Sequence, residues 1–224
     1  MTSMKDKFNR WFIPGFMLVS SVTLIVIGVP RFLHELMLVP GTPILHQVNA
    51  GEAVSEEELK ILEKSRLDAL GIIELPDAYL NLGASYLYRA RTATDPVEAQ
   101  KYAALTIEVS EKGLKMAPLN TYAWFRVATA NVMLGNYQEG LDAWRTSIAT
   151  ARFEPFLLLQ SFHLGTILYQ DMADEDVELL KDQIRMAYRW NKQYLRKYVR
   201  DNNLVVWMAI LCEPESEIKK YLTN

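Results

Sequence analysis

Apolar residues first run without interruption along the chain and then recur at helical spacing. From Trp11 to Pro30 the sequence WFIPGFMLVSSVTLIVIGVP carries no charge. About 20 residues at about 1.5 Å each reach about 30 Å, the depth of a bilayer core. The run predicts a transmembrane helix over 12–33, with Pro14 in its first turn and Trp11 and Phe12 suited to the interface. A cleaved signal peptide would have a shorter apolar region followed by a small-residue cleavage site, so an uncleaved anchor fits better. After the span, 32–39 stays mostly apolar and is expected to continue the helix to a break at Pro40-Gly41-Thr42-Pro43. Residues 34–54 then read as a juxtamembrane segment and linker, with His34 an isolated interfacial histidine rather than a metal ligand.

Beyond the break, helix signals dominate. Ser55-Glu56-Glu57-Glu58 is a capping box ahead of Leu59, Leu62, Leu67 and Leu70, which predicts a helix within 55–75. Repetition follows over 76–190. In the segment from Thr121, the large Trp124 and Trp144 flank the small Ala128, Gly140 and Ser147, with Gly135 and Tyr137 at the turn between two helices. Two antiparallel helices approach closely only where small side chains face each other, and aromatic knobs fill the flanking space. Upstream, Tyr79, Leu82, Gly83 and Tyr86 repeat the first-helix spacing, and Gly113 to Pro118 closes the partner helix after an insertion around Arg91 to Gln100. Downstream, Leu164-Gly165 and a helix from Val177 to about Trp190 form a third copy. The pattern resembles the tetratricopeptide repeat (TPR). It implies an all-α fold: a membrane helix, a short right-handed stack of helical hairpins, and C-terminal capping helices over 191–224.

In that family the concave groove is lined by fixed positions of each first helix. Carried onto this sequence, they are Asp77, Leu80, Ala84, Leu87 and Tyr88; then Tyr122, Phe125, Thr129, Val132 and Met133; then Leu159, Phe162, Thr166, Tyr169 and Gln170. Most are apolar, and an exposed patch of that size marks an interface. The alternative is that the 55–75 helix or the C-terminal helices fill the groove. A second surface is a basic ridge: Arg185, Arg189, Lys192, Arg196 and Arg200 share one arc of a helix, opposite Ile184, Ala187, Tyr194, Leu195 and Tyr198. It reads either as a solvated face or as a contact for anionic lipid, glycan or an acidic partner protein.

Charge sets the orientation. Lys5, Lys7 and Arg10 precede the span, whereas Arg31 is the only Lys or Arg after it until Lys60. The positive-inside rule keeps 1–11 in the cytoplasm and puts the repeats beyond the membrane, in the periplasm of a Gram-negative cell. A net charge of −3 argues against a general nucleic-acid binder. Neither a zinc-protease motif, nor a nucleophile elbow, nor a phosphate-binding glycine loop occurs. His34, His46 and His163 lack ligand spacing, and Cys212 beside Ile210 and Leu211 reads as a small apolar side chain. Asp174-Glu175-Asp176 suits a helix start. No catalytic residue, metal or cofactor is expected.

The order of features also resembles one group of proteins. A basic start, one span, Pro118-Leu119-Asn120-Thr121-Tyr122-Ala123-Trp124, a glycine turn and Phe153-Glu154-Pro155 before a leucine-rich helix are similar to the small VpsP-like proteins of exopolysaccharide and O-antigen gene clusters. The resemblance implies a scaffold that assists synthesis, polymerisation or export of a surface polysaccharide. An adaptor of a secretion, division or respiratory complex in the bacterial inner membrane is the alternative, and an enzyme with an unrecognised site ranks last.

Overall fold

The uncharged run does form helix, and the helix outlasts it. The computed structural model describes residues 4–213 and 216–223, with the backbone alone at 4–11, 13 and 223. Helix α1 spans Met4–Leu38 and contains both Pro14 and Pro30. The side chains of Lys5, Lys7, Arg10 and Trp11, on which the charge and interface readings rest, lie outside the described set, as does Pro214. At 35 residues the helix is about 52 Å long, more than a bilayer core requires. Phe16, Val19, Leu24 and Ile27 are all more than half exposed. Such a surface suits lipid, where a helix satisfies its own backbone groups. The described chain thus holds one helix long and apolar enough to cross a membrane.

Two compact units follow one another in sequence, 1–81 and 82–224. In the first, a 3-10 turn at Val39–Gly41 ends α1, and α2 (Thr42–Ala50) begins at once. The segment expected as a linker is therefore largely helical. Pro43 falls in the first turn of α2, where no N–H is needed, and Gly51 at φ 72° closes it. Helix α3 (Glu56–Leu70) opens with the expected capping box: Ser55 N–H donates to Glu58 Oε2 at 2.8 Å, and Glu58 N–H to Ser55 Oγ at 3.3 Å. It packs on α1 and the turn. Gly41 permits the closest approach, since a Cβ there would stand 2.9 Å from Leu62 Cα. The buried Arg66 Nη1 donates to the Leu38 carbonyl at 2.6 Å, satisfying an acceptor that the end of α1 leaves open.

Helix α4 (Pro76–Thr92) passes from the first unit into the second. There it is followed by α5 (Pro96–Met116), α6 (Thr121–Leu134), α7 (Tyr137–Thr150) and α8 (Pro155–Leu168). Then come α9 (Asp174–Asp201), α10 (Val205–Leu211) and α11 (Glu217–Thr223). The insertion in the first repeat forms no loop. It lengthens the helices, 17 and 21 residues for α4 and α5 against 14 each for α6 and α7.

Helices α6 and α7 form an antiparallel hairpin turned by Gly135 at φ 79°. At its open end Thr121 Oγ1 donates to the Ser147 carbonyl at 2.8 Å; near the turn Gly140 lies against Ala128 and Val132. Of the residues picked for repeat packing, Gly83, Ala128, Gly140, Trp144 and Ser147 are buried and Trp124 is half-buried. Trp144 carries its indole N–H to the Ser161 carbonyl at 2.9 Å, fixing α7 on α8.

Helix α9 is two helices. Asn191, at φ −158° and ψ 90°, breaks it, and its Oδ1 accepts the Tyr194 N–H at 2.9 Å as an N-cap for the second half. The break coincides with the expected end of the repeats at Trp190.

Candidate functional site

The apolar groove read from the sequence is only partly a surface. Leu87, Phe125, Leu159, Phe162 and Thr166 are buried, with Ala84 and Thr129. Phe125, Thr129, Phe162 and Thr166 are therefore closed to a partner, which agrees with the alternative of a groove filled within the chain. The cause is visible on the third hairpin. Tyr169 meets Trp207 of α10 edge-on at 5.0 Å, and His163 meets Tyr198 of α9 at 6.2 Å, so the C-terminal helices lie over α8. Met133 is half-buried against the cluster of Ala90, Ala103 and Ala130. Tyr88, Tyr122 and Val132 are likewise half-buried.

What lies near Tyr122 is polar. Arg126, one turn on in α6, is half-buried, and its pKa falls to about 10 through burial and then through the nearby positive charge of Arg91. It remains a cation at neutral pH. Arg91 is open to solvent, yet desolvation of its guanidinium lowers its pKa too. Tyr122 is raised to about 12 by burial and by a hydrogen bond to Glu154. Tyr198 is also raised to about 12, chiefly by burial, and Arg91 opposes that shift. His163, whose Nδ1 is 3.4 Å from the Tyr198 hydroxyl, is pushed down by burial.

Glu154, Tyr122, Arg126, Arg91, Tyr198 and His163 thus form a run of interacting polar groups in the second unit. At neutral pH the phenols are protonated and can donate hydrogen bonds, and the guanidiniums supply charge. Such a set suits an incoming carboxylate or other anionic group. It does not resemble an activated nucleophile, because the phenol pKa values move up. The sequence reading missed this cluster. Arg126 carried a signal, being the one charged residue in TYAWFRVATANVML.

The basic ridge does not survive as one surface. The break at Asn191 separates Arg185 and Arg189 from Arg196 and Arg200, so no single arc exists. Arg185 pairs within its own helix, with Asp182 at 2.5 Å and Glu178 at 3.7 Å. Lys192 and Arg196 lie over the Tyr221 ring at 5.4 and 5.1 Å. Arg189 and Arg200 are exposed. On the opposite side Ile184, Ala187 and Leu195 are buried as expected, but Tyr194 is about half exposed. The first-turn acids behave as expected: Asp176 accepts the Ala173 N–H at 2.9 Å and binds Arg145 through both oxygens at 2.6 Å.

His34 is not an interfacial residue. It is fully buried in the first unit, with Nδ1 at 3.1 Å from both the Ala69 and Ile73 carbonyls. Asp77 Oδ1 stands 3.5 Å from its Nε2. Cys212 is half-buried, and burial pushes its thiol pKa up.

Comparison with known proteins returns no matching family model, no matching curated protein and no matching solved structure.

Proposed function

We propose that this chain is a non-enzymatic scaffold, held in the membrane by α1, that engages a protein partner through a TPR-like helical stack. The polar cluster around Arg91 and Arg126 carries this reading. The positive charge of Arg91 lowers the proton affinity of Arg126, beside Tyr122, in a chain of net negative charge. Shifted charged groups of this kind gather at functional surfaces. The antiparallel hairpin of α6 and α7 supports the repeat reading, and small residues at Gly83, Ala128, Gly140 and Gly165 supply its close approaches.

The partner segment that fits is acidic. The charges flanking α1 favour a cytoplasmic start and a periplasmic repeat domain in the bacterial inner membrane. The resemblance to VpsP-like proteins points to an envelope polysaccharide complex as the setting. Purification of the full chain from membranes through a tag after Asn224 tests the reading. A protein partner recovered in near-stoichiometric yield is expected. Recovery of the bare chain from cells in which it is functional would count against a scaffold.

A further inference from the structure

We propose that His34, Glu35 and Asp77 form a site for one divalent transition-metal ion of the zinc class, tying the end of α1 to the start of α4. One ring nitrogen of His34 and one oxygen from each acid lie within 4.8 Å of one another, all inside the first unit.

The hydrogen bonds of the imidazole decide which nitrogen is available. Nδ1 faces two carbonyls, Ala69 and Ile73, each at 3.1 Å. A carbonyl only accepts, so Nδ1 carries the proton. In the neutral ring the lone pair then sits on Nε2. That atom is buried and has no hydrogen-bond partner. A histidine that gives its Nδ1 proton to a backbone carbonyl and presents Nε2 has the orientation of a metal ligand held by its surroundings.

Spacing agrees. Bonds of about 2.0–2.2 Å around a tetrahedral centre separate the ligands by about 3.4 Å, and Nε2 is 3.5 Å from Asp77 Oδ1. Without a cation, the Nε2 lone pair of the neutral ring would face a carboxylate at that distance, which is repulsive. Either a metal or a second ring proton relieves it. Glu35 is exposed and Asp77 only half-buried, so the site opens to solvent and water can complete the coordination. Mixed nitrogen and oxygen donors favour zinc-class ions over magnesium, which takes oxygen ligands. Arg66, buried nearby, feels the Asp77 charge and offsets part of the acidic field. The site is therefore expected to hold one ion of moderate affinity.

The test uses the full chain in detergent, stripped with a chelator and titrated with zinc or magnesium. Calorimetry follows binding, and thermal unfolding follows its linkage to stability. One zinc ion per chain and a rise in midpoint are expected, with no rise for magnesium. Glu35→Gln keeps the exposed side chain's size and should weaken zinc binding at least tenfold while leaving the metal-free midpoint unchanged. Asp77→Asn should do the same to binding. Zinc binding undiminished in both variants, or no zinc binding by the folded wild type, would overturn the site. The second result would mean that His34 and Asp77 form only an ion pair with a doubly protonated ring.

Discussion

Individual residues decide how closely these helices meet, and two glycines make the point with opposite signs. At Gly140 a Cβ would stand 3.1 Å from Val132 Cγ2, a side-chain methyl that can give way. Alanine there also gains about 1 kcal/mol of helix propensity, so Gly140→Ala should be close to neutral. Gly140→Leu has no such room and should cost about 1–3 kcal/mol through overpacking. At Gly41 the added carbon would meet backbone, Leu62 Cα at 2.9 Å, as well as the buried side-chain atoms Ser65 Oγ and Arg66 Nη1. Gly41→Ala should therefore cost more than Gly140→Ala, by about 1–3 kcal/mol. Urea denaturation of the full chain in detergent checks the order. Equal midpoints for the two alanine variants would contradict the packing described around Gly41.

At the scale of elements, one ion pair pins α7 to α9. Asp176 is buried, and Arg145 grips both of its oxygens, holding its carboxyl below the ordinary value. A carboxylate with a depressed folded pKa contributes stability that is fully present above its unfolded value. That stability is lost as pH falls from the unfolded value through the lower folded one. Asp176→Asn should remove that pH-dependent contribution. At neutral pH it should cost about 1.5–3 kcal/mol, the scale of a hydrogen bond to a charged group. Thermal unfolding at pH 7 and pH 3 checks it, and the gap between wild type and variant should narrow at the lower pH.

The same scale shows what was legible in the sequence. Helix starts were, because Ser55 and the Asp174–Asp176 acids carry their own capping chemistry. So was the α6–α7 hairpin, where small and large residues alternate in register. Pro43 misled, since a proline that ends one helix also suits the first turn of the next. The break at Asn191 has no glycine or proline to mark it, and an asparagine cap inside an amphipathic pattern looks like a polar-face residue. The surroundings of His34 were hidden for another reason. Asp77 lies 43 positions further on in the sequence, and only packing brings it close. The burial of Phe162 and Thr166 was open as an alternative, a groove filled by the C-terminal helices, but the sequence does not say where α9 and α10 return.

For the whole molecule, the sidedness proposed from the charges flanking α1 can be tested. Fusions of alkaline phosphatase and green fluorescent protein after Asn224 should give active phosphatase and a dark fluorophore, placing the second unit outside the cytoplasm. The reverse pattern would relocate the scaffold to the cytoplasmic face. Partner binding through the polar cluster around Arg91 and Arg126 is the central proposal, and one comparison reaches it directly. Full-length wild type and the Arg91→Gln, Arg126→Gln double variant are purified from membranes at low and physiological salt, with circular dichroism to establish that both fold alike. The wild type should retain its protein partner, less so as salt rises, because the charges are screened beyond about 8 Å at physiological ionic strength. The folded double variant should retain at least tenfold less at either salt. An equal yield of the same partner from the folded double variant would contradict the account.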